Sequence, residues 1–214
     1  MKHILHQNVI GKQLANGKTY FQVYISFTIN RQTYRLKSQL VSRPVTREEY
    51  KILETLYKGK LSDLLGKERE ILTFCIKKNT VEDELDRNQL RNDYIFFSTS
   101  ITDMLEKMRN SIEISDWTIP NISWELTKDL NLDEDLISEL SKYEINDLLL
   151  TELIAEINNY KLWCRKKGII EGLFLLYDFK YGTLTEDFKE YLGERMESKQ
   201  SEPLLKLLTM LIKK

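Results

Sequence analysis

Residues 19–29 alternate between apolar and polar side chains without a break. Phe21, Val23, Ile25, Phe27 and Ile29 fall on one side, and Gln22, Tyr24, Ser26 and Thr28 on the other. A period of two, carried by β-branched and aromatic residues, predicts a half-buried strand. Asn30-Arg31 predicts a tight turn, because Asn tolerates positive φ. Residues 32–41 return as a second strand, with Tyr34, Leu36 and Leu40 on the apolar side and Arg35, Lys37 and Gln39 on the other. An earlier strand is expected at 3–10, ending at the Asn16-Gly17 turn signal, which makes a three-stranded antiparallel meander. Pro44 closes the sheet. Thr46-Arg47-Glu48-Glu49 then has the form of a capping box, in which the Thr hydroxyl and the second Glu carboxylate satisfy each other's backbone N–H groups. The helix it opens carries Tyr50, Leu53 and Tyr57 on one side, suited to cover the apolar face of the sheet, and Gly59 fits its C-terminal end.

Past Leu61 the alternation gives way to helical spacing. Helices are expected at 62–78, 82–113 (irregular near Phe96–Ser100), 131–142, 145–167, 185–195 and 202–213, with Trp117, Pro120 and Trp124 marking a non-helical crossover. The expected fold class is α+β: a small three-stranded antiparallel sheet with a covering helix, followed by an all-helical domain. The corresponding domains are a basic β-sheet domain at 1–60 and a mostly acidic helical domain at 61–214. An apolar fraction of 42% and an aromatic fraction of 10% exclude a disordered chain, and eight Gly and three Pro favour helices with short connections.

Charge changes this picture more than composition does. The chain of 214 residues has 32 Lys and Arg against 33 Asp and Glu, a net −1. Its first 47 residues contain no acid at all, yet carry Lys2, Lys12, Lys18, Arg31, Arg35, Lys37, Arg43 and Arg47. A compact basic surface of this kind attracts polyanions, of which phosphate backbones are the commonest. Residues 116–160 show the opposite bias, with eleven acids against Lys128 and Lys142. The acidic helices at 129–156 interleave those charges with Leu and Ile, which suits either a solvated face or a docking surface for a basic protein partner or a second copy.

The polar face of the meander offers Gln22, Tyr24, Ser26, Thr28, Arg35, Lys37 and Gln39. Arg and Lys suit phosphate or guanine, Gln suits adenine, and Ser and Thr suit either. The stretch Phe-Gln-Val-Tyr-Ile-Ser-Phe-Thr-Ile-Asn-Arg-Gln-Thr-Tyr-Arg-Leu-Lys-Ser-Gln-Leu-Val-Ser-Arg-Pro-Val-Thr-Arg-Glu-Glu-Tyr at 21–50 resembles the N-terminal arm-type DNA-binding domain of tyrosine recombinases from bacterial mobile elements. Asn30-Arg31, Arg35-Leu36-Lys37-Ser38 and Thr46-Arg47-Glu48-Glu49-Tyr50 carry the likeness, over about 50 of the 214 residues. It implies a sheet docked in the groove of duplex DNA, with Tyr24, Arg35 and Lys37 as contacts. Residues 182–192 are similar to the helical core-binding domain of the same enzymes. The family's catalytic domain is missing: His3 and His6 are the two histidines, and neither begins a His-x-x-Arg element. The candidate nucleic-acid-binding residues are Lys18, Tyr24, Arg31, Arg35, Lys37 and Gln39.

No catalytic residue, metal ligand or cofactor is assigned. His3 and His6, three apart on a strand, face opposite sides. A Gly-rich phosphate loop and a Gly-x-Ser-x-Gly elbow are both lacking. Asp178 and Lys180 have the two-residue spacing of metal-dependent nucleases, with Glu171 as a further acid, but their surroundings read as a helix end. Cys75 and Cys164, far apart in apolar helical contexts, read as reduced buried thiols. The start of the chain lacks a signal-peptide pattern and no apolar run is long enough to span a bilayer, so a cytoplasmic protein is expected. The expected function is therefore non-enzymatic binding of nucleic acid, duplex DNA in the first instance, through the basic sheet face in a bacterial or phage mobile element. The competing class is a structural or assembly protein, a virion or scaffold component acting by protein–protein contacts.

Overall fold

The computed structural model describes residues 1–6, 19–55, 61–82, 84–115, 145, 147–167 and 174–212, with the backbone alone at 6, 53–55, 61–64 and 111–115. The fold is α+β, with a three-stranded antiparallel sheet and eight helices among the described residues. The chain divides into two compact units, Met1–Ser98 and Thr99–Lys214.

In the first unit, β1 (Lys2–His6), β2 (Gln22–Ile29) and β3 (Gln32–Lys37) pair in the order β1-β2-β3. The alternating pattern accounts for β2 and for β3, which stops at Lys37 and not at 41, since slipping by one residue would turn every apolar side chain to the wrong face; of the first strand expected at 3–10, residues 7–10 lie outside the described residues. Asn30 and Arg31 form the turn with φ of 48° and 64°. Both values lie in the left-handed region that a two-residue turn matching the sheet's twist requires. The Asn16-Gly17 turn lies outside the described residues.

One face of the sheet carries His3 and Leu5 from β1, Val23, Ile25 and Phe27 from β2, and Tyr34 and Leu36 from β3. Phe27 and Tyr34 stack across the strands at 5.4 Å. Helix α1 (Arg47–Thr55) adds Tyr50 to a core of Val23, Val41 and Val45. Its capping box is complete: the Thr46 N–H donates to Glu49 Oε2 at 2.8 Å, and the Glu49 N–H donates to Thr46 Oγ1 at 3.1 Å. Thr46→Ala removes one half of that exchange at a buried position and should cost about 1 kcal/mol, read as a lowered urea midpoint with an unchanged m-value. The C-terminal end of this helix at Gly59 lies outside the described residues.

The covering layer is larger than one helix. Helix α2 (Leu61–Lys78) buries Leu65, Glu68, Ile71, Leu72 and Cys75, a stripe at helical spacing, and Leu65 joins the core under the sheet. A small hairpin of β4 (Thr80–Val81) and β5 (Glu84–Leu85) follows, where helix was expected from residue 82. Asp86 then caps α3 (Arg87–Phe97) by accepting from the Gln89 N–H at 2.9 Å. A side chain that caps competes with helix continuation, which explains why the long helix expected at 82–113 begins only here. The boundary expected after residue 60 thus lies inside the first unit, because loss of strand alternation marks a change of element and not of core.

In the second unit, α4 (Ile101–Ser115), α5 (Asp147–Lys166), α6 (Leu176–Tyr181), α7 (Leu184–Arg195) and α8 (Ser198–Leu211) pack around the rings of Tyr160, Phe174, Phe179, Phe188 and Tyr191. Phe174 has a φ of 51°, and its carbonyl accepts the Ile101 N–H at 3.0 Å, so a strained residue closes the start of α4. Helix α8 begins four residues before the expected 202 and contains Pro203 in its second turn. Trp117, Pro120 and Trp124, and the acidic residues 129–144, lie outside the described residues. Among those described, no helix is long and apolar enough to cross a membrane.

Candidate nucleic-acid interface

The face of the sheet opposite α1 and α2 is built by strand register. Lys2 pairs with Ser26, and Ser26 with Arg35, so one row across the three strands runs Lys2–Ser26–Arg35. The next row runs Ile4–Tyr24–Lys37. Lys2, Arg35, Lys37, Thr28 and Thr33 are exposed, and Tyr24 is half-buried. Ser26 is buried, as a short side chain flanked by longer neighbours on both adjacent strands must be. Thr28 and Thr33 bring their hydroxyls within 3.3 Å at the turn end. Arg31 stands exposed in the turn itself. Sequence reasoning passed over Lys2 as a member of this face; its placement depends on the β1–β2 register, which no local pattern reveals.

Two readings of the face need correction. Strand β3 ends at Lys37, so Gln39 does not continue the outward row. Its backbone N–H turns inward to Glu68 Oε1 at 2.7 Å, and its side-chain amide donates to the Lys37 carbonyl at 3.2 Å. Gln22 is also buried, with its amide nitrogen 3.4 Å from the Ser42 carbonyl, because the segment after β3 crosses the end of β2. Lys18 lies outside the described residues.

What turns the chain inward after Lys37 is a buried carboxylate. Glu68 has no exposed surface. It accepts from Ser38 Oγ at 2.8 Å, from the Gln39 N–H at 2.7 Å, from the Leu40 N–H at 3.2 Å, from His3 Nε2 at 2.7 Å, and from the Tyr94 hydroxyl. Burial alone pushes its pKa up, but the hydrogen bonds from His3, Tyr94, Leu40 and Ser38 prevail and hold it below the ordinary value of 4.5. Burial and the adjacent Glu68 charge push the Tyr94 hydroxyl well above its usual range, so it stays a donor. Glu68 therefore joins β1, the β3–α1 connection and α3 at one point. A second buried acid, Asp93, is held by Asn79 Nδ2 at 2.9 Å, Gln89 Nε2 at 3.0 Å and Lys78 Nζ at 2.9 Å.

The other candidate chemistry does not assemble into a site. Asp178 and Lys180 lie on α6, and residues two apart on a helix point away from each other. Glu171 lies outside the described residues. No three His, Cys, Asp or Glu side chains converge to hold a metal among those described. His3 is committed to Glu68, while His6 pairs with Gln22 in the strand register. Cys75 and Cys164 are free and buried; burial, with Asp93 nearby, pushes the Cys75 thiol up to about 12, away from thiolate chemistry.

No family model, curated protein or solved structure matches this chain.

Proposed function

We propose that this chain is a non-enzymatic nucleic-acid-binding protein that engages DNA through the outward face of its N-terminal sheet, in the setting of a bacterial or phage mobile element. The observation that carries the reading is the register that stands Lys2, Arg35 and Lys37 on one face around Tyr24, with the apolar face committed to α1 and α2. The turn supports it as well. Arg31 keeps a φ of 64° that costs an L-residue about 1–2 kcal/mol, and the strained turn holds one more cation at the edge of the face. Likeness of residues 21–50 to recombinase arm domains supplies the mobile-element setting and the choice of duplex DNA.

Each phosphate neutralised by these side chains releases condensed counterions, so affinity for a duplex should fall with salt by about 0.9 log units per log unit for each contact. Arg35→Ala combined with Lys37→Ala should weaken binding and flatten that slope by about two contacts' worth, with little change in melting temperature. Fluorescence anisotropy of a labelled duplex, titrated at several salt concentrations, measures both. A slope unchanged by the double substitution would remove this face from the interface.

A specific feature favours the assembly reading as the second. Between α5 and α8 runs a groove of about 680 Å³ with Leu148, Leu149, Ala155, Met196, Pro203 and Leu204 along it. Leu148 is 66% exposed there. If the intact protein binds neither duplex nor single-stranded DNA at low salt, a role in protein–protein assembly takes precedence.

A further inference from the structure

The rows on the open face do more than gather positive charge. Ser26 lies between Lys2 and Arg35, one strand to each side, so the two cations rise from backbones about 10 Å apart over a short hydroxyl side chain. Ser26 itself is buried beneath its longer neighbours, so a phosphate lying above it would meet a cation on either flank. Two residues along β2, about 6.8 Å away, Tyr24 stands on the same face with Lys37 beside it. The spacing is that of one nucleotide, from its phosphate to its base.

We infer that the centre of this face is a single-nucleotide platform, with a phosphate held between Lys2 and Arg35 above Ser26 and a base stacked against Tyr24, and that its ligand is therefore a single-stranded nucleic acid. The inference rests on the nucleic-acid reading above and replaces its duplex with a single strand as the preferred ligand. Cations alone do not distinguish a duplex from a single strand, since both present phosphates. A central aromatic residue does, because the faces of bases inside a duplex are already covered by their neighbours, whereas single-strand binders combine a basic track with aromatic stacking. Register places Tyr24 on the middle strand, where a base lying on it stays within reach of cations on both neighbouring strands.

The test compares a mixed-sequence single-stranded 20-mer, the same 20-mer with abasic sites in place of its bases, and the corresponding duplex, all against the full chain. Wild-type protein should bind the single strand at least about fivefold more tightly than the abasic strand, the range expected from one stacked base. Tyr24→Ala should lose at least about fivefold on the single strand and change duplex affinity by less than about twofold. Tyr24→Phe, which keeps the ring, should bind the single strand as the wild type does. The abasic comparison needs no variant, so it decides the matter even where Tyr24→Ala fails to fold. Equal binding of abasic and intact strands overturns the platform, as does an equal loss on strand and duplex in Tyr24→Ala; duplex binding would in either case still uphold the broader reading. No binding to any of the three by the wild type overturns both.

Discussion

Glu68→Ala should unfold the N-terminal unit or lower its melting temperature by about 20 °C or more. Removing the carboxylate takes the acceptor from the buried Ser38 and Tyr94 hydroxyls and from the partly buried His3 ring N–H and the Gln39 and Leu40 backbone N–H groups. A buried donor left unsatisfied costs about 1–3 kcal/mol, so several together amount to on the order of 5 kcal/mol, comparable to the whole stability of a small domain. At 4–8 °C per kcal/mol for a domain of this size, the shift is large enough to see by circular dichroism. The pH dependence has a defined sign. Because the folded-state pKa of Glu68 lies below its ordinary value of 4.5, its stabilisation is fully present above about that pH and is lost as pH falls towards the lowered value. Glu68→Gln, which has no carboxylate to protonate, should be less stable at neutral pH and show a flatter loss of stability below pH ~4.5. An alanine variant that melts with the wild type would show that the cluster contributes nothing to the fold.

Residues 1–98 expressed alone should melt cooperatively, and residues 1–60 should not. The shorter fragment keeps all three strands and α1 but lacks Leu65, Glu68, Ile71, Leu72, Leu90 and Tyr94, every one of them buried in the first unit. A sheet of three short strands with one covering helix buries too little apolar surface to offset its chain entropy. Thermal melts and the dispersion of amide resonances distinguish the fragments. A cooperative transition in 1–60 would show that α2 and α3 are accessories to a domain that stands without them.

Those two predictions also show where the sequence was readable. The hairpin, the Asn30-Arg31 turn and the Thr46–Glu49 box each depend on residues a few positions apart, and each is present at the expected place. The Glu68 cluster depends on residues 65 and 30 positions apart. On a helix a glutamate ordinarily signals a solvated face, and only its position between Leu65 and Leu72 on the buried stripe hinted at another role. Gln39 was misplaced for the same reason: alternation continues past Lys37 in the sequence, but a distant carboxylate captures the backbone and ends the strand. Of the candidate interface, the β2 and β3 residues were legible from period two, whereas Lys2 was not, because a strand's pairing partner and register are set by tertiary fit.

The 65-residue separation between His3 and Glu68 also governs how the protein is made. Ribosomes add about 5–20 residues per second, so Glu68 is added roughly 3 to 13 seconds after His3. Until then the three strands are made without the carboxylate that closes their far side, and contacts this distant in sequence form late in folding. The nascent meander therefore waits for the one carboxylate that fixes His3 of its first strand and the Ser38–Leu40 turn after its last.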